Sequence, residues 1–135
     1  VQALTLPCKY GYPKRSVSGI SLNRLQTLLA VLEKRLSISL QDKDVYVSLA
    51  GGLKVYEPAL DLPLALSVIS AAKNLPLVRT LASFGEIGLG GEIRPVLREE
   101  QRDRQAKKLG VKKIVSGKEY RNLNDILRLF PYGKE

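Results

Sequence analysis

Hydrophobic residues recur at helical spacing in one early segment and fill almost all of a later one. In residues 23–36, leucine or valine occupies positions 25, 28, 29, 31, 32 and 36, which predicts an amphipathic helix capped by Ser21 or Asn23. Residues 62–72 are almost wholly apolar and predict a helix that is buried on most sides. Asp61 is expected as the N-cap of this second helix, and Pro63 fits its first turn.

Shorter runs of apolar and β-branched residues predict strands around these helices. The predicted strands are residues 1–6, 45–50, 81–84, 94–96 and 112–115. After Gly51 and Gly52 the chain is expected to extend again over residues 53–56, as a strand with a glycine bulge or as a hairpin. Residues 7–19 contain two prolines and two glycines and are predicted as a loop.

Four glycines within residues 85–91 predict a tight hairpin or a bulged loop, because glycine tolerates positive φ and close backbone approach. A charged amphipathic helix is predicted over residues 98–109, with Gly110 at its C′ position. Asn124 is expected to cap a last helix over residues 125–130, which ends at Pro131. This mixture of strands and helices predicts one α+β domain.

Composition narrows the class of protein. The chain has 135 residues, of which 44% are hydrophobic, so it can bury the core of one compact domain. No apolar run is long enough to span a membrane, and the first residues lack the order of a signal peptide. The single cysteine excludes an internal disulfide, and the lack of histidine argues against zinc binding and histidine-based catalysis. A cytoplasmic protein is expected.

Charge points to a polyanionic partner. The chain carries 22 basic and 13 acidic residues, for a net charge of +9. In the loop over residues 7–19, Lys9, Lys14 and Arg15 alternate with Tyr10 and Tyr12. Basic and aromatic side chains in one loop suit contact with a nucleic-acid backbone and stacking on bases. The alternative is a solvated loop whose tyrosines pack down onto the domain.

Three segments resemble the proteolytic domain of the Lon family over roughly residues 44–115. They are GGLKVYEPALDLPLALSVISAA, FGEIGLGGEIRPV and AKKLGVKKIV. That family uses a serine and a lysine for catalysis, and the resemblance puts these positions on Ala59 and Arg102. Alanine has no nucleophilic oxygen, and arginine stays protonated near neutral pH. The resemblance therefore implies a Lon-like fold without protease activity.

The resemblance also implies that two acidic residues replace glycines of the family's nucleophile motif. These residues are Glu57 and Asp61. We expect one of them to pair with Arg102 or a neighbouring arginine and to convert the former active site into a structural ion pair.

The whole chain resembles the C-terminal domain of the bacterial RadA family, also called Sms. The resemblance rests on VQAL, PKRSVSGI, NRLQTLLAVLEKR, VSLAGGLKVYEPALDL and FGEIGLGGEIRPV. Members join a zinc finger and a RecA-like ATPase to a Lon-like domain, and they act with RecA in recombinational DNA repair. The resemblance implies that residues 1–135 are a C-terminal piece of a larger DNA-dependent ATPase. It also implies that ATP and zinc belong to the other domains and that this domain forms a closed ring, expected to be a hexamer.

The sequence and its resemblances leave three candidate functions for the chain. The first is a non-catalytic domain that closes a ring and holds DNA phosphates without base specificity. The second is a pure oligomerisation scaffold, with DNA held by the ATPase domain. The third and weakest is a protease with another dyad, for which the nearby hydroxyls are Ser67, Ser70 and Ser83.

The candidate DNA-contacting residues are basic and lie in the first loop, the first helix, and the third helix with its flanks. They are Lys14, Arg15, Arg24, Arg94, Arg98, Arg102, Arg104, Lys107, Lys108, Lys112 and Lys113. Glu99, Glu100 and Asp103 lie among the arginines of the third helix and can neutralise them through pairs three or four residues apart.

Overall fold

The first helix follows its hydrophobic stripe. The structure, a computed structural model, describes residues 1–51 and 57–130. Helix α1 spans Leu22–Leu36 and buries the predicted stripe from Leu25 to Leu32. Its N-cap is Ser21, whose hydroxyl accepts the Arg24 N–H at 3.2 Å. The serine alternative of the two predicted caps is therefore confirmed.

The second helix begins differently from the prediction. Helix α2 spans Asp61–Lys73 and follows a 3-10 turn over Pro58–Leu60. Glu57 caps that turn by accepting the Ala59 N–H at 3.2 Å. The prediction of Asp61 as N-cap is wrong, because the 3-10 turn already supplies the first turn of helix. Asp61 is the first residue of α2, and its carboxylate is used elsewhere.

A three-stranded sheet covers one side of α2. Its strands are β1 (Gln2–Pro7), β2 (Arg15–Ser18) and β3 (Lys43–Ser48), in the order β1-β3-β2. Strand β1 is antiparallel to β3, whereas β2 is parallel to it. Helix α1 makes the crossover that a parallel pair requires. The predicted loop over residues 7–19 is therefore shorter, since its last part forms β2.

A second pair of strands is joined through a hairpin and a helix. Strand β4 (Leu81–Phe84) has the predicted bounds and runs parallel to β7 (Lys113–Ser116). Between them, β5 (Glu86–Ile87) and β6 (Ile93–Arg94) form an antiparallel hairpin around the glycines. Helix α3 follows over Glu99–Lys108. The hairpin prediction is confirmed, although β6 ends two residues earlier than the predicted strand over residues 94–96.

A residue with a left-handed backbone conformation lies close to each end of α3. Gly110 has φ +85°, as a C′ glycine requires. Arg98, predicted as the first helical residue, is instead the N-cap with φ 61°.

The last helix is capped two residues earlier than predicted. Helix α4 spans Leu123–Ile126 and is followed by a 3-10 turn over Leu127–Leu129. Its N-cap is Asn122, whose side chain accepts the Asp125 N–H at 3.2 Å, while Asp125 accepts the Asn122 N–H at 3.3 Å. The prediction of Asn124 as cap is wrong, because this capping box fixes the helix start. The predictions for Pro131, Gly52 and residues 53–56 lie outside the described residues.

One hydrophobic core joins these elements. It includes Leu25 of α1, Val45 of β3, Ile69 of α2, Val115 of β7 and Ile126 of α4, all without exposed surface. Burial of each large apolar side chain contributes about 1.5–3 kcal/mol. The described residues form a single α+β domain, as the sequence predicts. Among them, no helix has the length and apolar character that crossing a membrane would require.

Candidate functional site

The turn that precedes α2 is tied to the glycine hairpin by backbone hydrogen bonds. The Gly85 N–H donates to the Ala59 carbonyl at 3.0 Å, and the Leu62 N–H donates to the Gly85 carbonyl at 3.0 Å. A Cβ on Gly85 would lie 3.1 Å from side-chain atoms of Ile93 and Leu62. The close approach therefore favours glycine at this position. Ala59, 3% exposed, presents a methyl group at the position where the Lon resemblance places a nucleophile.

Arg102 reaches back to this turn. Its guanidinium lies 3.7 Å from the Glu57 carboxylate, and its Nε donates to the Leu97 carbonyl at 2.9 Å. The predicted pairing of Glu57 or Asp61 with an arginine is confirmed here. The contact of this guanidinium with Glu57 connects α3 to the turn before α2.

A second ion pair lies deeper and joins α1 to α2. Asp61 is 2% exposed, and both of its carboxylate oxygens accept hydrogen bonds from the Arg24 guanidinium, one of them from Nε at 2.9 Å. The Ile87 N–H also donates to this carboxylate at 3.0 Å, and Arg24 Nη2 donates to the Ile87 carbonyl at 2.9 Å. The buried charge is paired and hydrogen-bonded, as a buried carboxylate must be. Arg24, predicted to contact DNA, therefore links α1, α2 and β5.

A cavity of about 110 Å³ opens beside this ion pair. Its lining comprises Ile20, Ser21, Arg24, Glu57, Pro58, Leu60, Asp61, Leu64 and Glu86. Three carboxylates and one guanidinium belong to that lining, so an anion would meet net negative charge there. Among the described residues, no group of three or more histidine, cysteine, aspartate and glutamate side chains could hold a metal ion.

A positive surface lies on α3. Ala106 is the one residue of α3 that is buried, three others are half-buried, and the remaining six are exposed. The exposed cations on the helix and its flanks are Arg98, Arg104, Lys107, Lys108 and Lys112. Arg104, Lys107 and Lys108 line one surface groove together with Gln101 and Gln105. We call Arg104, Lys107 and Lys108 the α3 cationic groove.

Two acidic residues of α3 are engaged away from these cations. The Glu99 carboxylate accepts the Val96 N–H at 3.1 Å and so closes the turn before α3. Asp103 pairs with Lys118 at 3.7 Å. These contacts differ from the predicted neutralisation of the helix arginines by Glu99 and Asp103. Glu100, the third predicted residue, is exposed on the same helix and has no ion pair among the described residues. The α3 cationic groove therefore carries three cations beside one exposed carboxylate.

Two of the remaining predicted contacts belong to the three-stranded sheet. The Arg15 guanidinium donates to the carbonyls of Lys43 at 2.5 Å and Leu40 at 2.9 Å, which fixes the start of β2. Lys14 is exposed, and its Nζ lies 6.0 Å from the centre of the Tyr46 ring. Arg15 thus has a structural role, whereas Lys14 stays accessible.

The other two predicted contacts lie on the hairpin and on β7. Arg94 donates to Glu92 through Nη2 at 2.7 Å, and this hydrogen bond lowers the pKa of the Glu92 carboxyl. Lys113 Nζ lies 5.7 Å from the centre of the Tyr120 ring. The structure therefore groups the α3 cations but does not bring all eleven predicted residues into one surface.

Comparison with known proteins identifies a family for this chain. The family model described as "Subunit ChlI of Mg-chelatase" matches residues 11–120. The chain belongs to this family. The ChlI-type match covers α1, α2, the hairpin and α3, and so includes both ion pairs and the α3 cationic groove.

Several curated relatives of this ChlI-type chain are named DNA repair protein RadA. One from Synechocystis sp. is 44% identical over 99% of this chain and 27% of the relative. One from Rickettsia bellii is 44% identical over 100% of this chain and 30% of the relative, and one from Listeria monocytogenes is 47% identical over 84% and 25%. The chain thus spans less than a third of the length of these relatives. The RadA resemblance read from the motifs agrees with their names.

Sequence reasoning missed two contributors to the positive and aromatic surfaces. Arg128 lies 5.9 Å from the centre of the Tyr120 ring, on the aromatic side chain that Lys113 also approaches. Tyr46 lies on β3 beneath Lys14. Alternation along β3 could have placed Tyr46 opposite the buried valines, but no local signal pairs it with Lys14 across the sheet.

Proposed function

We propose that this chain is a non-catalytic, Lon-like C-terminal domain of a RadA-type DNA repair protein, and that it binds DNA through the α3 cationic groove. The observation that carries the proposal is the one-sided burial of α3. The helix places Ala106 in the core and exposes cations, while Glu99 and Asp103 have other partners. Phosphates are the complementary ligands of such a surface.

Binding of this kind is independent of base sequence. Lysine and arginine side chains on one outward helix face contact phosphate oxygens, which are the same for every base pair. Each phosphate that is neutralised releases condensed counterions, so affinity falls steeply with salt. The relatives are named as a DNA repair protein, which is consistent with such a ligand.

Two further observations support a domain without protease activity. Ala59 and Arg102 occupy the positions that the Lon resemblance assigns to the catalytic pair. The hydroxyls of Ser67 and Ser70 donate to the carbonyls of Pro63 at 2.9 Å and Leu75 at 2.6 Å. Both hydroxyl protons are thus engaged with the α2 backbone and its C-terminal turn. The third candidate, Ser83, has a buried hydroxyl without a hydrogen-bond partner among the described residues, so no general base is hydrogen-bonded to any of the three, which disfavours a substitute nucleophile.

Titration of a labelled 20-base-pair duplex across a salt series tests DNA binding. We expect Lys107→Ala with Lys108→Ala to reduce the slope of log affinity against log salt by about 2, because each lost phosphate contact contributes roughly 0.9. The matched control is Lys34→Ala with Lys73→Ala, which removes two exposed lysines from α1 and α2 and leaves α3 intact. Equal losses in both variants would assign the effect to overall charge, and no duplex binding at 50 mM salt would reject the proposal.

A scaffold role is the second candidate, and one observation favours it. Leu89, Leu97 and Leu109 are 71%, 83% and 73% exposed, and large apolar side chains in such numbers suit burial between subunits. In this alternative the chain closes a ring, expected to be hexameric, and does not touch DNA. The mass of the chain in solution, measured with and without duplex, separates the two roles.

The other parts of this proposal come from the RadA resemblance. ATP and zinc would be held by domains outside residues 1–135, in a DNA-dependent ATPase of the cytoplasm. Contact with RecA during recombinational repair would be made by the full-length protein. Nucleotide and metal titrations of residues 1–135 test the first of these, with binding of either ligand counting against it.

A further inference from the structure

The outer face of the three-stranded sheet carries an aromatic side chain opposite the core. Strand register aligns Leu4 of β1 and Ser16 of β2 with Tyr46 of β3. Since residues directly paired across strands point to the same side, these three share one face. Val45 and Val47, on either side of Tyr46, are buried on the opposite face. Leu4, 55% exposed, shows that the outer face is open.

The loop between β1 and β2 carries two exposed tyrosines. Tyr10 is 87% exposed and Tyr12 is 95% exposed. A tyrosine normally buries most of its large ring surface, so two such rings four-fifths or more in solvent within three residues are unusual. These exposures contradict the alternative in which the tyrosines pack down onto the domain, and they leave both rings accessible for stacking.

The loop is anchored at both ends to the sheet. The Cys8 N–H donates to the Asp42 carbonyl at 2.8 Å, and the Lys14 N–H donates to the Asp44 carboxylate at 2.7 Å. The Val45 N–H also donates to the Lys14 carbonyl at 2.9 Å. These bonds hold both ends of the loop against the end of the sheet at which β3 begins.

Positive charge accompanies the rings. Lys9 and Lys14 are exposed in the same loop, and Lys14 lies over the Tyr46 ring. Of the carboxylates at the start of β3, that of Asp44 accepts the Lys14 N–H, and that of Asp42 lies 4.0 Å from Lys43 Nζ. Flat aromatic rings with lysines between them complement a chain of bases linked by phosphates.

We propose that this tyrosine face, made of Tyr10, Tyr12, Lys14 and Tyr46, binds single-stranded nucleic acid by stacking bases on the rings while Lys14 contacts a phosphate. The inference deepens the proposed function and rests on it, since it adds a second surface to a DNA-binding domain. Duplex DNA offers no free base faces, so the tyrosine face would take single strands, whereas the α3 cationic groove can contact the phosphates of either kind of strand.

Three labelled probes separate stacking from charge. They are a 20-nucleotide thymidine strand, an abasic strand with the same number of phosphates, and a 20-base-pair duplex. We expect the 135-residue chain to bind the thymidine strand about tenfold or more tightly than the abasic strand, because each stacked base contributes to affinity. Equal affinity for these two strands would overturn the proposal.

Variants assign the stacking to the rings. Tyr10→Ala with Tyr12→Ala should weaken binding of the thymidine strand about tenfold or more and leave duplex binding within about twofold. The matched control is Tyr10→Phe with Tyr12→Phe, which keeps both rings and should bind like the wild type. Because both side chains are almost fully exposed, melting temperatures should be unchanged. Loss of duplex binding in the alanine variant, or unchanged binding of the thymidine strand, would refute the assignment.

The outcomes distinguish this inference from the proposed function. Failure to bind duplex rejects the role of the α3 cationic groove, whatever the single strands do. Normal duplex binding with no preference for thymidine over abasic strand rejects the tyrosine face alone, and would indicate that the rings contact protein. The chain lacks tryptophan, so quenching of tyrosine emission by the thymidine strand gives a second readout of stacking.

Discussion

Replacement of Arg24 by methionine would leave the Asp61 carboxylate inside the fold without its cationic partner. Methionine keeps an unbranched apolar stem but removes the guanidinium that bonds both carboxylate oxygens and the Ile87 carbonyl. The Asp61 side chain is only 3% exposed, so water cannot readily replace the lost donors. The Ile87 N–H would still donate to the carboxylate.

The expected loss in the free energy of unfolding is about 3 kcal/mol. Removal of one partner of a buried ion pair costs roughly 3–5 kcal/mol. We expect the lower end, because the Arg24 side chain is 35% exposed and water can approach along its path. Adding Asp61→Asn to Arg24→Met should recover about 1–2 kcal/mol, since a neutral amide is less costly to bury and its oxygen can still accept the Ile87 N–H.

Urea unfolding followed by circular dichroism measures these differences, since a domain of this size is expected to unfold in one step. Lys34→Met is the control, because it removes an exposed cation from the same helix and should change stability by less than about 0.5 kcal/mol. The reasoning is refuted if Arg24→Met costs no more than the control. It is also refuted if Asp61→Asn lowers the stability of the Arg24→Met protein further.

Two further predictions concern the hairpin and its surroundings. Arg94 lowers the pKa of Glu92 in the folded protein, so the charged carboxylate stabilises the fold at neutral pH, and this contribution disappears as pH falls through the lowered pKa. Arg94→Ala should raise that pKa, as followed by carbon NMR of the Glu92 carboxyl, and an unchanged value would contradict the assignment. Gly91→Ala should cost more stability than Gly110→Ala in urea unfolding, by about 1 kcal/mol, because both have φ +85° but only Gly91 has a neighbour, Arg35 Cγ, 3.1 Å from the added Cβ. Equal losses would leave backbone strain as the whole cause.

The parts of the fold with a strong local signal could be predicted from the sequence. Helix α1 has a regular stripe of buried leucines, and strand β4 lies between clear breaks, so both were found with nearly correct bounds. Strand β2 was missed because its four residues include a single large apolar side chain, Val17. Its extended state depends on pairing with β3, which the local sequence does not reveal.

Caps were harder to predict because several residues of the right type lay close together. Asp61 and Asn124 are both of a residue type that suits an N-cap. The caps are instead Glu57, which begins the 3-10 turn before α2, and Asn122, which begins α4. The residue that forms the cap has a hydrogen-bond partner in the next turn, as Asn122 has in Asp125. A preference for residue type therefore located the helices but not their first residues.

The candidate site was predictable in its chemistry but not in its partners. The resemblance to Lon correctly suggested an ion pair at the turn before α2, which the structure shows between Glu57 and Arg102. The sequence could not show that Arg24 forms an ion pair with Asp61, which lies 37 residues away in the chain. An arginine that binds phosphate and one that binds a buried carboxylate are identical until the chain is folded.

Because Ala106 is the single buried side chain of α3, the outward side of this helix can change its sequence during evolution. A substitution on the outward side of α3 removes no core packing, so it is close to neutral for folding. Helices α1 and α2, which supply half of the buried core residues, have no such freedom. New surface charges, and hence new partners, can therefore arise on α3 one residue at a time while the rest of the domain stays folded.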